Sequence, residues 1–405
     1  MRRVLLVVYE VYARDARVRR HARAMAGAGY TVEVAALVDD RSADAARNDG
    51  VAIVSLGTRK YRGASRVAYL LAYLAFTARA FVAVTERVLR RRVEIVYVNN
   101  PPDVLVFAAF AARMRGLPVV LDIHDMTSDL YLAKFRAGGA AERGGGPAGW
   151  LIGRIERASV RFADALVTIH DLYADRLAAL VRPGTPVVSV WNVPDAEAWL
   201  PVGDRRAEEP YSPDPPSPDR PLRLGHHGTI VERFGVDRAV AGVAALRARG
   251  LPVTLSILGD GDFADALAAR VAESGASDAI QFDRRTFSHD DVATFAAGID
   301  VGVAPYRPSS FSEHGLPTKV LEYVTLGIPV VVTETVMLRQ HFGSVVRLVT
   351  GTDIDELADA IAEMADPAVR AAYRRAGRAA AHEMGWPGQR VKLLDLIEGM
   401  GRQAA

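Results

Sequence analysis

The chain has 405 residues, of which 50% are hydrophobic and 24% charged, and its net charge is +2. That length exceeds what one ordinary hydrophobic core organises and points to two or three domains, while the near-neutral balance excludes a nucleic-acid footprint at whole-chain level. There is no cysteine, which excludes disulfides, thiolate metal sites and cysteine nucleophiles.

The opening, "MRRVLLVVYEVYARDARVRR", holds an apolar run too short for a signal peptide that soon returns to arginine. Residues 4–9 therefore read as a first buried strand and the protein as cytoplasmic. Further β-branched runs at 31–37 and 51–55 follow. The longest apolar segment is "VAYLLAYLAFTARAFVAV" at 67–84, interrupted by Thr77 and Arg79. It falls short of the roughly 20 apolar residues of a spanning helix. One reading is a helix packed on a sheet. The other is an interfacial helix, flanked by Arg59, Arg62, Arg66 and the Arg90, Arg91, Arg92 cluster, which would give a peripheral membrane contact.

Strands at 95–98, 119–123, 165–168 and 187–190 alternate with longer amphipathic stretches, the pattern of βα units around a parallel sheet. The glycine-rich "RAGGAAERGGGPAG" at 136–149 follows a strand and the polar "DIHDMTSD", and reads as a lid loop. In "PVGDRRAEEPYSPDPPSPDRP", 201–221, seven of twenty-one residues are proline, which predicts a linker. The rhythm then resumes with strands at 222–224, 253–258, 280–282, 301–304, 330–332 and 345–348. The predicted fold is α/β, with two doubly wound Rossmann-like domains facing across a cleft: 1–200 and 222–385, with 386–405 a helix that crosses back. Open α/β sheets bind ligands at the carboxyl ends of their strands.

A dinucleotide site needs glycines in the turn after the first strand; here that turn reads "YEVYARDARVRR", which sets dehydrogenases aside. A phosphate site is predicted in the second half instead. "LGHHGTIVERFG" at 224–235 follows a strand and offers the amides of Gly228 and Thr229 and the guanidinium of Arg233. "SEHGLPTKVLEYVTLGIPVV" at 312–331 adds a helix start at Pro317, whose first amides, at Thr318 and Lys319, favour an anion. Lys319 is one of only four lysines in the chain. Glu322 lies on the same helical face. A carboxylate beside a polyanion is repulsive unless it accepts hydrogen bonds from ligand hydroxyls, as a ribose would supply; the plain alternative is a Lys319–Glu322 helix pair.

The segment 316–331, with "HHGTIVERFGVD", resembles the nucleotide-sugar signature of the family 4 glycosyltransferases of GT-B fold. "ARVRRHARAMAGAGYTVEV", "VYVNNPPDVL", "VVLDIHD", "ILGDGDF" and "IDVGVAPY" agree with it. The resemblance implies a transferase that moves a sugar from a nucleotide-diphosphate donor to an acceptor hydroxyl with retention; Arg233, Lys319 and the helix terminus are expected to stabilise the leaving group without a metal, and no other cofactor is expected. It assigns Glu322 to the donor ribose, and Arg233 and Lys319, with backbone amides around Gly228 and Thr318, to the diphosphate; Thr229, Leu316 and Pro317 are counted with the donor site. Arg284 falls in the part that contacts the base.

The family pattern has two glutamates eight residues apart; here His314 stands at the first place and Glu313 one position off, both counted with the donor site. Thr229 and Phe234 stand where the family's phosphate loop has arginine and lysine. On the acceptor side, His124 and Asp125 at the end of a strand, with Asp15 after the first strand, are the candidates to orient the reacting groups. The acceptor is a glycan, a lipid-linked or a small molecule, in cell-surface glycan, glycolipid or natural-product biosynthesis. Two other readings are a sugar-nucleotide epimerase of the same fold and a non-catalytic sugar-nucleotide-binding subunit.

Overall fold

A computed structural model describes residues 2–58, 60–61, 66–127, 146–194, 196–208, 215–287, 289–308 and 315–403. The chain forms two compact units, 1–192 with 388–405, and 193–387.

In unit 1 the strands are β1 (Arg3–Val11), β2 (Thr31–Leu37), β3 (Ala52–Ser55), β4 (Ile95–Asn99), β5 (Val119–Ile123), β6 (Ala165–Thr168) and β7 (Val187–Ser189). Between them lie helices α1 (Ala16–Gly27), α2 (Ser42–Asn48), α3 (Arg66–Leu89), α4 (Phe110–Met114), α5 (Gly146–Phe162) and α6 (Asp171–Ala178). All pairings are parallel, in the order β3-β2-β1-β4-β5-β6-β7. The strands are nearly unbroken apolar runs because helices cover both faces of such a sheet.

Unit 2 begins with α7 (Ala196–Glu208) and holds β8 (Leu222–His227), α8 (Val236–Ala248), β9 (Val253–Leu258), α9 (Ala264–Glu273), β10 (Ile280–Asp283), α10 (His289–Ala297) and β11 (Val301–Ala304). It continues with α11 (Thr318–Thr325), β12 (Val330–Thr333), α12 (Val336–Phe342), β13 (Arg347–Val349), α13 (Ile354–Glu363) and α14 (Pro367–Met384). Its sheet is also parallel, ordered β10-β9-β8-β11-β12-β13. A last helix, α15 (Trp386–Gln403), returns the chain to unit 1, where the Trp191 amide donates to Gln389 Oε1 at 2.9 Å.

The proline-rich linker expected from residue 201 does not start there. Pro201 lies inside α7, and the unit boundary falls at 192/193. Proline removes one hydrogen bond near the start of this helix, and packing outweighs that loss. Trp199 is buried, a Cβ on Gly203 would lie 2.1 Å from the Thr325 carbonyl, and Arg378 of α14 donates to the carbonyls of Thr325 and Leu200 and pairs with Asp204. The rest of the expected linker falls partly outside the described residues, as does most of the glycine-rich loop.

Candidate active site

Strand order reverses between β8 and β11 in unit 2, and the crevice at the carboxyl ends of those two strands is where such sheets take ligands. The signature helix α11 begins at that point. Pro317 is its N-cap, with extended backbone, one place earlier than the first-turn position expected for it. Thr318 opens the helix and is exposed, and Leu316 and Pro317 are half-buried. The first amides of a helix have no intrahelical acceptor and carry its positive pole.

Two contacts hold α11 in place. Thr335, the N-cap of α12, donates from its hydroxyl to the Gly315 carbonyl at 2.8 Å, while Arg378 satisfies the Thr325 carbonyl at the other end. Gly327, with φ of 70°, closes the helix: its amide bonds to the Val324 carbonyl and the Ile328 amide to that of Tyr323, the Schellman arrangement.

Lys319 and Glu322 do not form the plain helix pair; each turns to a different histidine at the end of β8. His226 Nδ1 lies 2.8 Å from the Val303 carbonyl, which can only accept, so Nδ1 carries the proton. Burial, with Lys319 beside it, holds His226 well below the ordinary imidazole value, so the ring is neutral and its Nε2 accepts from Lys319 Nζ at 3.0 Å. Lys319 is only 6% exposed, and burial pulls its ammonium down to about 7, with Glu322 opposing. The expected full charge is thus a titrating one. His227 Nε2 donates to Glu322 Oε2 at 2.7 Å; the other carboxylate oxygen has no partner among the described residues, and the side chain keeps 15% of its surface exposed.

Phe234, which stands where the resembling family has a lysine, is a platform for both cations. Lys319 Nζ and Arg233 Cζ each lie 5.0 Å from its ring centroid, and Lys319 is also 5.5 Å from that of Tyr306. Gly228, at φ of 130°, passes so close that a Cβ would lie 3.0 Å from Lys319 Nζ. Gly259 in turn packs on Gly228, since its Cβ would come 2.0 Å from the Gly228 carbonyl oxygen. Thr229 and Arg233 are exposed at this edge. Gly228, Arg233, Lys319 and Glu322 are therefore brought together, but the Gly228 amide expected to face the anion donates to the Leu258 carbonyl at 3.0 Å instead, so this glycine serves close approach to Lys319. Arg284 stands one loop away, paired with Asp260 at 2.8 Å and with Asp265. Glu313 and His314 lie outside the described residues.

In unit 1, the candidates sit at the ends of β1 and β5. Asp15 is the N-cap of α1 and accepts from the Val18 amide at 2.9 Å, a structural task that occupies one of its oxygens. The His124 amide donates to Asn100 Oδ1 at 2.7 Å, and the Asp125 carbonyl accepts from Asn100 Nδ2 at 2.8 Å, so one asparagine shapes this loop. His124 Nε2 lies 3.4 Å from Asp122.

Asp122 was not anticipated. Fully buried, it accepts from Arg17 Nη2 at 2.8 Å and Tyr97 Oη at 2.9 Å and lies 3.3 Å from His21. Burial works against its charge, but Arg17 and His124 overcome this and hold it well below the usual carboxylate range. His226, His227 and Phe234 were also missed as site residues. The available signal for the histidines was the polar pair "HH" closing β8, since buried polar groups demand partners. Among the described residues, no group of three or more His, Asp or Glu side chains is gathered to hold a metal ion, and no helix is long and apolar enough to cross a membrane.

Residues 15–192 match the family model of a glycosyl transferase 4-like domain, and residues 221–366 that of glycosyl transferases group 1. The chain is 26% identical over 267 residues to a GDP-mannose-dependent alpha-(1-6)-phosphatidylinositol monomannoside mannosyltransferase of Mycolicibacterium smegmatis, covering 62% of this chain and 67% of that protein. It is 28% identical over 292 residues to a 2-deoxystreptamine glucosyltransferase of Streptomyces kanamyceticus, covering 70% of each. Among solved structures, sucrose-phosphate synthase from Thermosynechococcus elongatus superposes with a TM-score of 0.72 at 16% identity over 99% of both chains. Anabaena HepE in complex with UDP-glucose does so with a TM-score of 0.70 at 15% identity over 98% of this chain and 100% of that one. Two Rossmann-like units, two matching domain models and transferase relatives together identify the chain as a member of the GT-B glycosyltransferases, with a 4-like first domain and a group 1 second domain.

Proposed function

We propose that this glycosyltransferase clamps the diphosphate of a nucleotide-sugar donor at the start of α11 and transfers the hexose to an acceptor hydroxyl. The observation that carries this reading is Lys319, a buried lysine that bonds a neutral histidine instead of a carboxylate, at the reversal point of the sheet. A cation kept out of ion pairs in a low-dielectric corner costs stability, and an incoming polyanion offsets that cost. In the proposal, Lys319, Arg233 and the amide of Thr318 meet the charge that grows on the leaving oxygen. Glu322, oriented by His227, takes the ribose hydroxyls, and Arg284, Glu313 and His314 complete the donor side. Relatives named for mannosyl and glucosyl transfer support a hexose.

On the acceptor side His124 and Asp125 orient the reacting groups, and Asp15 assists from the start of α1. The reading includes retention, no metal ion and a cytoplasmic location. Its acceptor is a glycan, a lipid-linked or a small-molecule hydroxyl; a lipid-linked acceptor brings unit 1 to a membrane surface.

The test is incubation with UDP-glucose and with GDP-mannose, with and without acceptor mixtures and a strong chelator. Expected are release of the nucleoside diphosphate and an acceptor-dependent glycoside, unchanged by chelator, with the anomeric configuration read by proton NMR. A new sugar nucleotide formed without acceptor would favour the epimerase reading, donor binding without any turnover the binding subunit, and metal-reversible loss of activity would remove the metal-free mechanism.

A further inference from the structure

A helix on the surface of a soluble domain has one apolar stripe facing the core and a polar face outward. α3 has two apolar stripes. Phe76, Ala80, Ala83, Val84 and Val88 enter the core of unit 1. On the opposite face, Val67, Leu71, Leu74, Val82 and Leu89 recur at helical spacing and are exposed, Val67 at 68% and Val82 at 66%.

The face continues onto neighbouring elements. α3 packs against the 3-10 segment Asp103–Ala109 and against α4, and α5 packs against the same segment. α4 exposes Phe110 and Met114, and α5 exposes Trp150 and Leu151. Of the twelve large exposed hydrophobics among the described residues, eleven lie on these three helices. So concentrated a patch marks an interaction surface, where scattered residues would mark nothing.

Charge decides the partner. The outward face of α5 carries Arg154, Arg157 and Arg161 beside Trp150, with Arg154 Cζ 5.1 Å from the Trp150 ring centroid and Arg161 Nε donating to the Leu180 carbonyl. Gly149 and Gly153, one turn apart with open space where a Cβ would stand, leave a shallow groove alongside these guanidiniums. Arg90 and Arg91 are exposed past the end of the α3 stripe. A second copy docking here through a two-fold contact would set this basic face against itself. An anionic lipid surface meets both features, since guanidiniums bind phosphate oxygens in pairs and tryptophan favours the headgroup level.

We propose that the outward face of α3, α4 and α5 docks unit 1 on an anionic bilayer, with the apolar side chains in the headgroup–acyl boundary and the α5 arginines on lipid phosphates. The surface is separate from the donor corner, so the proposal stands or falls independently of the transfer chemistry. The full chain is sedimented with phosphatidylcholine vesicles with and without phosphatidylglycerol, at low and high salt. Sedimentation is expected with the anionic vesicles and should weaken with salt. Arg154→Gln with Arg157→Gln should lower the partition coefficient about thirtyfold, and Leu71→Glu with Val82→Glu should abolish binding. In both variants the thermal midpoint and the affinity for UDP or GDP should stay at the wild-type values. The proposal is overturned by equal sedimentation with neutral and anionic vesicles, by no sedimentation with either, or by a wild-type dimer in light scattering that the double glutamate variant dissociates.

Discussion

Raising the pH should loosen nucleotide binding through the titration of a single lysine. Burial brings the Lys319 ammonium to about 7 in the unliganded unit, whereas a diphosphate against Nζ favours the charged form and returns the lysine toward its ordinary range. Binding then takes up a proton. At pH 8 about one lysine in eleven is charged, so the Kd of UDP or GDP should be roughly tenfold above its low-pH limit. At pH 9 it should be roughly a hundredfold above, about 2.7 kcal/mol.

The groups facing Lys319 do not imitate this titration. His226 is neutral throughout, and burial raises the Tyr306 phenol. Calorimetry at pH 8 in two buffers of different ionisation enthalpy should register about 0.9 proton taken up per nucleotide, because the terminal phosphate ionises near 6 and is silent there. Lys319→Met should flatten the profile. It should also raise the thermal midpoint of the unliganded protein at pH 7. The sign follows from linkage: the folded value is depressed from 10.5 to about 7, so the unfolded chain binds more protons in that window and stability falls as pH drops through it. Wild-type affinity that is flat from pH 6.5 to 9, or a slope that survives in Lys319→Met, would refute the reasoning.

Three further outcomes are expected. His226→Leu should raise the Kd about tenfold by removing the acceptor that places Lys319 Nζ, and His226→Gln, which can still accept, should recover most of it; equal Kd values in the two variants would argue against positioning. Glu322→Gln should erase the preference for UDP over its 2′,3′-dideoxy analogue, a difference of about 1–3 kcal/mol in the wild type, and a preserved preference would detach Glu322 from the ribose. Acidification should destabilise unit 1: burial and Arg17 depress His21 to about 3, so stability is lost as pH falls from 6.5 toward 3, by up to about 1.4 kcal/mol per unit. His21→Gln should show a shallower fall in thermal midpoint over that range, and an unchanged fall would place the acid sensitivity elsewhere.

The thirteen strands were legible in the sequence to within a few residues because parallel strands, buried on both faces, read as continuous β-branched runs. Geometry that depends on distant partners was not legible. Pro201 argued against a helix, and it took the packing of Gly203 and Arg378 on α11 to override it. The "GLPTK" turn and its glutamate announced an anion site, but not that two adjacent histidines on β8, 93 and 95 residues away, would divide Lys319 and Glu322 between them. Asp122 looked like one polar position in an apolar strand, and nothing local linked it to Arg17, 105 residues earlier. Asp15 drew attention as an acid after the first strand, where its visible task is to cap α1. The second apolar stripe of α3 was present in the letters, yet apolar spacing alone cannot separate a buried face from an exposed one.

The central claim is that the corner of β8, Phe234 and the start of α11 holds the donor diphosphate, and a crystal structure of the protein with UDP or GDP tests it most directly. Phosphate oxygens within about 3 Å of Lys319 Nζ and the Thr318 amide, with ribose hydroxyls on the free oxygen of Glu322, are the predicted result. A nucleotide seated elsewhere, with Lys319 still bonded only to His226, would contradict the account.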